Sequence, residues 1–198
     1  MLKILLLTLL CLTHNISVAG TDDPAAAKAV VEKLHATLLD TMREGAKLGF
    51  QGRVTKLAPT LRELFDFATI SRLVTGRYWA KLEAPKRAEF IEVFSRLSTA
   101  TYADNFKSLG GEHFETRAAE DKKNSLFVKT VLIGADGKEV PLNYLLAKSD
   151  TGWRIINVVA EGVSDLSLKR AEYTAVIGSS GIDALIAKLK VKVASYGP

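Results

Sequence analysis

Up to Gly111, hydrophobic residues recur every three or four positions, a spacing that is typical of amphipathic helices. Four helices are predicted in this part of the chain, over residues 23–49, 54–64, 66–76 and 85–111. Asp23 followed by Pro24 is a favourable helix start, because the aspartate caps the helix and proline suits its first position. Pro59 is expected to break or kink the second helix. The fourth helix carries a wide, aromatic-rich stripe, which predicts that it lies against a large apolar surface.

Beyond Gly111 the hydrophobic pattern changes, and four β-strands are predicted over residues 113–118, 126–133, 139–147 and 153–160. Short turn sequences separate these strands, and loops of this length favour antiparallel neighbours. Helical spacing returns after Gly162, with Ser164 as the expected cap and a last amphipathic helix after Gly181. Helices, then a sheet, then helices again predict a single α+β domain.

Apolar residues fall on both faces of the last three predicted strands, as in Leu-Phe-Val-Lys-Thr-Val-Leu-Ile of residues 126–133. A sheet with one face in water would show a cleaner alternation of apolar and polar residues. Helices on both faces would explain the pattern. Alternatively, part of this apolar surface lines a cavity, although structural core is the default interpretation of any one residue.

Residues 1–19 have the organisation of a secretory signal peptide. Lys3 supplies a positive charge, a nearly unbroken apolar run follows it, and Ser17 and Ala19 place small residues where a signal peptidase reads them. We therefore expect this segment to be cleaved and residues 20–198 to form one exported domain. A retained anchor or a buried helix is the alternative, but the apolar run is short for a bilayer core of about 30 Å.

Cys11 is the only cysteine, and it lies inside that apolar run. A lipoprotein signal would need small residues before it, but Leu9 and Leu10 stand there, so lipidation is not expected. Cleavage after Ala19 would leave no thiol, which excludes disulfides, a cysteine nucleophile and cysteine metal ligands. The net charge of +5 comes from scattered cations, without the dense basic tract that indicates nucleic-acid binding. A solvated surface is the default explanation of the lysines, and contact with anionic lipid headgroups is the alternative.

Few reactive side chains are placed as an enzyme would need them. His35 and His113 are the only histidines after residue 19, and neither has a companion at metal-ligand spacing. The sequence contains no nucleophile elbow, phosphate-binding loop or dinucleotide-binding glycine pattern. Carboxylates are plentiful, but no single one is set apart by its neighbours. No catalytic residue, metal or other cofactor is therefore predicted; an NTF2-like enzyme with an aspartate inside a cone-shaped sheet stays open as an alternative.

From about Asp23 to Val193 the chain resembles the MlaC family, the periplasmic carriers of phospholipid-trafficking ABC transport systems. The stretches that carry the resemblance are 48–53 (LGFQGR), 65–67 (FDF), 76–79 (GRYW), 100–103 (ATYA), 140–146 (VPLNYLL), 153–164 (WRIINVVAEGVS) and 181–186 (GIDALI), with Arg170 and Glu172. Their order and spacing support the resemblance more than any one of them does. Asn143 and Asn157 stand where family members commonly carry aspartate, and this loss of negative charge would alter headgroup or partner preference.

The resemblance implies an α+β fold with an antiparallel, NTF2-like sheet of about four strands, wrapped by N- and C-terminal helices around an apolar cavity. It implies that the protein shuttles phospholipid through the periplasm, between an outer-membrane lipoprotein complex and an inner-membrane complex of an MCE protein with an ABC permease. Hopanoid-associated carriers are similar, so a hopanoid-type lipid is the alternative cargo. A periplasmic adaptor without a ligand is a further alternative.

A free lipid carrier needs a cavity, because each methylene withdrawn from water is worth about 0.8 kcal/mol. The residues expected to line it are Phe94, Tyr102 and Phe106 on the helix side, and Val131, Val140, Leu142, Tyr144, Ile156, Val158 and Val163 on the sheet side. Each of them has structural core as its alternative. Arg77 and Arg170 are expected to contact a headgroup at the mouth or a docking partner, with surface ion pairs as the alternative.

Overall fold

A computed structural model of the chain describes residues 23–197. The predicted signal peptide, residues 1–19, lies outside the described residues and stays a prediction. The helices are α1 (Pro24–Arg43), α2 (Gly45–Leu64), α3 (Phe67–Thr75), α4 (Ala84–Asn105) and α5 (Asp165–Ala194), with a 3₁₀ helix at Gly76–Lys81. The strands are β1 (His113–Asp121), β2 (Ser125–Ile133), β3 (Glu139–Ser149), β4 (Gly152–Ala160) and β5 (Val163–Ser164). The predicted α+β class, with an antiparallel sheet flanked by helices, is confirmed.

Capping carboxylates set the starts of α1 and α3 at the predicted residues. Asp23 Oδ1 accepts a hydrogen bond of 2.8 Å from the Ala25 amide, and Pro24 takes the first helical position. Asp66 Oδ1 accepts one of 2.8 Å from the Thr69 amide. Each carboxylate satisfies an amide that has no partner within its helix, and its charge suits the positive end of the helix dipole.

The junction of the first two predicted helices differs from the one expected. α1 ends at Arg43, and α2 bends at Gly49, whose φ of 61° is left-handed. Glycine adopts this conformation without the steric penalty that a Cβ brings. Pro59, expected to break or kink the second helix, lies within α2 without ending it, and Leu57 and Leu61 beside it are fully buried. Packing of these leucines therefore outweighs the unfavourable effect of an internal proline.

α4 ends at Asn105, several residues before the glycine pair that was expected to end it. The buried Arg53 side chain donates from Nε to the Ala103 carbonyl over 2.7 Å and so satisfies the last turn of the helix. Beyond this turn the chain folds back on α1, where the Leu109 amide donates to the Met42 carbonyl over 3.2 Å. An arginine from a neighbouring helix thus caps a carbonyl in the last turn of α4.

The strands form one antiparallel sheet in the order β1-β2-β3-β4-β5. They extend one to three residues beyond the predicted bounds, and the two-residue β5 is an addition to the predicted four. Tyr144 pairs with Val128 on one side and with Val158 on the other, and this face of the sheet packs against α1 and α5. Phe127 and Leu145, paired on the opposite face, are only half-buried. The two faces of the sheet are therefore unequally covered.

α5 consists of two helical segments that reverse direction at Gly181, whose φ of 83° and ψ of 170° are non-helical. Lys188 Nζ lies 2.8 Å from Glu172 Oε1, although a straight helix would separate residues 16 positions apart by about 24 Å. The segments 165–180 and 182–194 therefore lie side by side.

The core lies between the covered face of the sheet and the helices. Phe90 and Phe94 of α4 meet Tyr173 of α5 edge to face, with ring centroids 6.2 Å apart in both pairs. This arrangement suits the quadrupoles of aromatic rings. Within the part of the chain that the structure describes, no helix combines the length and the apolar character needed to cross a bilayer.

Candidate functional site

A pocket of about 330 Å³ opens between α4, the two segments of α5 and strands β3 and β4. Its apolar wall is formed by Phe65, Phe67, Ile70, Phe94, Leu97, Tyr102, Phe106, Leu142, Ile156, Val158, Ala160, Leu166 and Tyr173. Polar side chains of α4, β4 and the C-terminal segment also border it: Ser98, Thr101, Asn105, Asn157 and Tyr196. Four charged side chains of α5, here called the α5 rim, complete the border: Asp165, Lys169, Glu172 and Lys192. Three of these four residues are exposed, so the charges lie where the pocket meets solvent.

α4 contributes the helix side of the apolar wall. Phe94 and Tyr102 lie on the same side of α4, and Phe106 follows directly after the last residue of the helix. The Tyr102 ring stacks on Phe106 at 5.7 Å and meets Phe65 edge-on at 5.8 Å. The three helix residues expected from the sequence are thus brought together in one continuous aromatic surface.

β3 and β4 contribute the sheet side, through Leu142, Ile156 and Val158. The register shifts between Leu145 and its neighbour Leu146, which leaves Ile156 as the additional residue of a bulge in β4. Ile156 and Val158, two positions apart in β4, border the same pocket. The bulge places the fully buried Ile155 opposite Leu146.

Four other residues expected at the pocket are placed elsewhere: Val131, Val140, Tyr144 and Val163. Val131 pairs with Pro141, so it lies on the face opposite Leu142, because neighbouring strand residues point to opposite sides. Val163 belongs to β5 and is 51% exposed. Val140 shares the face of Leu142 but is half-buried beyond the pocket wall. The structure therefore does not bring these side chains to the pocket.

Tyr144 lies deeper in the core, where it meets a buried histidine. His35 Nε2 and Tyr144 Oη share a hydrogen bond of 3.0 Å, and the imidazole stacks on Phe114 with centroids 3.9 Å apart. Burial lowers the pKa of His35 to about 4, so the ring is neutral near pH 7. Phe114 in turn contacts Phe106 at 6.2 Å, which connects the histidine to the pocket wall through aromatic rings.

Arg77 and Arg170 were expected at the mouth or in docking. Arg77 belongs to the 3₁₀ helix, Arg170 lies beside that helix, and neither borders the pocket. Arg77 donates from Nη2 to Tyr78 Oη over 3.0 Å, and its guanidinium lies 5.1 Å from the centre of that ring. The exposed Arg170 guanidinium lies close to Gly76. Both cations are on the surface, and their role in docking stays a prediction.

Sequence reasoning missed the α5 rim and three aromatic residues of the wall, Phe65, Phe67 and Tyr173. A signal for the aromatic residues was available. Phe65 and Phe67 belong to one of the stretches that carry the family resemblance, and Tyr173 follows Leu166 on one side of the predicted helix. The rim gave no such signal, because Lys169 and Lys192 border one pocket only after α5 reverses direction.

The pocket wall carries polar atoms that stay uncharged. Burial raises the pKa of Tyr102 and of Tyr173 well above the ordinary value of a phenol. The Tyr102 ring nevertheless has exposed area, because it faces the pocket. Among residues 23–197, histidine, cysteine, aspartate and glutamate form no group of three or more that could hold a metal ion. The arrangement offers an apolar ligand a neutral wall, with charges confined to the opening.

The known proteins that this chain resembles include a bacterial transport protein and a solved lipid-bound structure. The intermembrane phospholipid transport system binding protein MlaC of Haemophilus influenzae is 23% identical over 122 residues, which are 59% of this chain and 57% of that relative. The match thus spans little more than half the length of the relative. A phospholipid-binding protein from Ralstonia solanacearum, solved in complex with a phospholipid, superposes with a TM-score of 0.75. It is 19% identical, and the match covers 87% of this chain and 97% of that one, which shows a shared fold.

The match to a known family is broader than the match to either protein. The family model described as MlaC protein covers residues 32–191, a range that includes the pocket wall and most of the α5 rim. By this match the chain belongs to the MlaC family.

Proposed function

We propose that this protein is a lipid carrier that holds acyl chains in the pocket between α4, α5 and the sheet, with the headgroup at the α5 rim. The observation that carries the proposal is the pocket itself. An aromatic and aliphatic wall leads to an opening where the charges of Asp165, Lys169, Glu172 and Lys192 are concentrated. That distribution of polarity matches an amphipathic ligand.

The physical argument rests on the cost of moving a lipid through water. At about 0.8 kcal/mol for each methylene, two ordinary acyl chains are kept out of water by on the order of 20 kcal/mol. A protein pocket that replaces the bilayer interior removes most of that barrier. The charged headgroup is far more costly to desolvate than the tails, so it stays at the opening, beside charged side chains.

Phospholipid is the proposed cargo, and the periplasm is the proposed location. Support comes from the relatives: one is named as the binding protein of an intermembrane phospholipid transport system, and the other holds a phospholipid. The carrier would exchange lipid with an outer-membrane lipoprotein complex and with an inner-membrane complex of an MCE protein and an ABC permease. It would need no cofactor and carry out no reaction, since binding and release accomplish the transfer.

Two matched substitutions on β3 test the pocket. Leu142 faces the pocket, whereas Leu145 lies half-buried on the opposite face of the same strand. Leu142→Trp should fill the pocket and lower the lipid that co-purifies several-fold, whereas Leu145→Trp should leave it unchanged. Organic extraction followed by mass spectrometry gives the amount and the identity of the lipid, and thermal unfolding shows that both variants fold.

The result also separates the rival cargoes. Stoichiometric phospholipid supports the proposal, and a hopanoid in its place would change the cargo but keep the carrier. Full lipid occupancy in Leu142→Trp would show that the pocket is not the binding site. A wild-type protein that is empty after gentle purification, and takes up no added lipid, would favour an adaptor without a ligand.

A further inference from the structure

The exposed arginines of this chain fall into two groups. One group forms ion pairs with carboxylates and consists of Arg43, Arg62, Arg96 and Arg117. The other group has no carboxylate within ion-pair distance among residues 23–197 and consists of Arg72, Arg77 and Arg170. All three unpaired arginines lie around Gly76, where α3 ends and the 3₁₀ helix begins. They are here called the arginine face.

Arg77 is held in place by the tyrosine that follows it. Its Nη2 donates to Tyr78 Oη over 3.0 Å, and its guanidinium lies 5.1 Å from the centre of the ring. The Tyr78 hydroxyl lies against α5 at Gly178, where a Cβ would be only 2.8 Å from that oxygen. The glycine therefore allows the tyrosine to reach α5 and to orient the arginine.

Arg170 is placed at the turn between α3 and the 3₁₀ helix. A Cβ at Gly76 would lie 3.4 Å from Arg170 Nη2 and 3.6 Å from Thr174 Cγ2, so the guanidinium packs closely on this backbone. Gly76 has a φ of 56°, which glycine adopts without steric cost. Arg72 lies one turn earlier in α3, and its carbonyl accepts the Gly76 amide. Arg77 and Arg170 are thus positioned by a phenol and by backbone, and their charges are not neutralised by a carboxylate of the described chain.

The elements that carry the arginine face hold little compensating negative charge. Residues 67–81, which form α3 and the 3₁₀ helix, include no acidic residue. Each carboxylate in the adjoining segment 165–180 of α5 already has a lysine partner: Asp165 has Lys169, and Glu172 has Lys188. The positive charge is therefore concentrated at this face, although the cations of the whole chain are scattered.

An unneutralised set of arginines attracts an anionic partner, and the surroundings favour a bilayer over an acidic protein. Protein interfaces depend on apolar anchors, and the large apolar side chains that residues 23–197 expose lie outside α3 and the 3₁₀ helix. A bilayer needs no such anchor, because each cation near an anionic surface strengthens binding by about fivefold. Tyr78 and Trp79, half-buried beside Arg77, are the residue types that favour the membrane–water interface.

We propose that the arginine face docks the protein on the anionic surface of a phospholipid bilayer, with the 3₁₀ helix turned towards the headgroups. Arginine suits this role because its planar guanidinium can bond two phosphate oxygens at once. The attraction is electrostatic, so it weakens as salt screens the charges. The inference adds a membrane-binding surface to the proposed carrier, and it does not require that the pocket hold a lipid.

Two triple substitutions that remove the same charge test the arginine face. In the protein purified after export, the combination Arg72→Gln, Arg77→Gln and Arg170→Gln should weaken binding to phosphatidylglycerol-containing vesicles at least tenfold. Co-sedimentation at low ionic strength measures the binding, and vesicles of phosphatidylcholine alone should bind neither protein. The control replaces by glutamine three exposed lysines outside the face: Lys47, Lys123 and Lys138. It should stay within about twofold of the wild type, and thermal unfolding shows that both variants fold.

The two tryptophans of the chain report how the protein lies on the vesicle. Trp79 belongs to the 3₁₀ helix, whereas Trp153 is buried in β4. Brominated phosphatidylglycerol in the vesicles should quench the fluorescence of Trp153→Phe, which retains Trp79, and not that of Trp79→Phe. High salt should reverse the quenching, because it releases a docked protein, whereas a lipid taken into the pocket would continue to quench.

Each other outcome has a definite meaning. Equal losses in the two triple variants would show that overall charge attracts the protein to vesicles, which would overturn the inference. A wild type that ignores anionic vesicles at low ionic strength would also overturn it, and an acidic protein surface would then be the alternative partner. Binding that is indifferent to salt, or quenching of Trp153 alone, would contradict the docking geometry. A protein that docks but holds no lipid would keep this inference and refute the proposed function.

Discussion

The apolar wall and the α5 rim border the same pocket, but different forces hold them. The wall is part of the core: Phe94 is 2% exposed, and its ring is in contact with Phe67, Phe90 and Tyr173. The rim is held by surface ion pairs, such as Lys169 with Asp165 and Lys188 with Glu172. Exposed ion pairs contribute little to stability and are weakened by salt. The surface that would meet acyl chains is therefore fixed, whereas the one that would meet headgroups can rearrange.

The largest effect is expected from a substitution behind the wall. Phe90 is fully buried and supports both Phe94 and Tyr173. Phe90→Ala removes a core ring and leaves a cavity, which should lower the free energy of unfolding by about 3–5 kcal/mol. Urea denaturation followed by circular dichroism measures the change. Leu168→Ala on exposed α5 surface is the control, expected within about 0.5 kcal/mol of the wild type. A loss below about 1 kcal/mol for Phe90→Ala would mean that the wall is not part of the stable core.

The second largest effect is expected on the pH dependence of stability, and it arises from His35, which is buried behind the pocket wall. The pKa of His35 is lowered by burial to about 4 in the folded protein, against 6.5 for the model imidazole. Below pH 6.5 the unfolded chain therefore binds a proton that the folded protein does not, so protons favour unfolding. Stability should fall by about 3 kcal/mol as the pH drops from 6.5 to 4.

Urea titrations at several pH values measure this slope, and His35→Gln, which cannot titrate, should flatten it. Carboxylates change the free energy of unfolding at lower pH values than His35 does. For example, the hydrogen bond from Lys190 lowers the pKa of Glu89 to about 2, so its contribution is lost only as the pH falls below about 4.5. An unchanged slope between pH 6.5 and 4.5 in His35→Gln would show that another group causes it.

The smallest effect on stability is expected at the rim. Lys169→Met breaks an exposed pair with Asp165 and should change the free energy of unfolding by less than about 1 kcal/mol. If the headgroup lies at the rim, the same variant should shift the bound lipid from phosphatidylglycerol towards phosphatidylethanolamine by a few-fold, as measured by mass spectrometry. Lys47→Met, on exposed surface of α2, is the control for charge alone. A large loss of stability, or an unchanged lipid ratio, would contradict the distinction between wall and rim.

Features that depend on local sequence were predictable in this fold. Asp23 and Asp66 cap the helices where expected, and the strands were found to within three residues at each end. Phe94 and Tyr102 of α4, with Phe106 just after it, were expected at one surface because of the regular helical repeat, and all three border the pocket. On the sheet the same reasoning is less certain. Val131 and Leu142 look alike in sequence, and only the register places them on opposite faces.

Features that depend on contacts between distant segments were not predictable. The bulge at Ile156, which places the fully buried Ile155 opposite Leu146, is a property of how β4 pairs with β3. The last turn of α4 is capped by Arg53, which comes from α2. The break or kink in the second helix was expected at Pro59, because proline has the strongest general tendency to interrupt helices. In the structure, α2 bends at Gly49 instead. Its left-handed backbone suits glycine, but the sequence contains several glycines that look equally able to adopt it.

Because α5 is broken at Gly181, its two helical segments can rotate relative to each other about that one residue. The segments 165–180 and 182–194 are about 24 and about 20 Å long, and the first begins and the second ends beside the pocket opening. A rotation of about 5° at this single residue would displace the far end of a segment by about 2 Å, somewhat more than the length of one carbon–carbon bond. The aperture through which a ligand enters could thus be widened or narrowed from the opposite end of the molecule, while the side chains around the opening keep their own conformations.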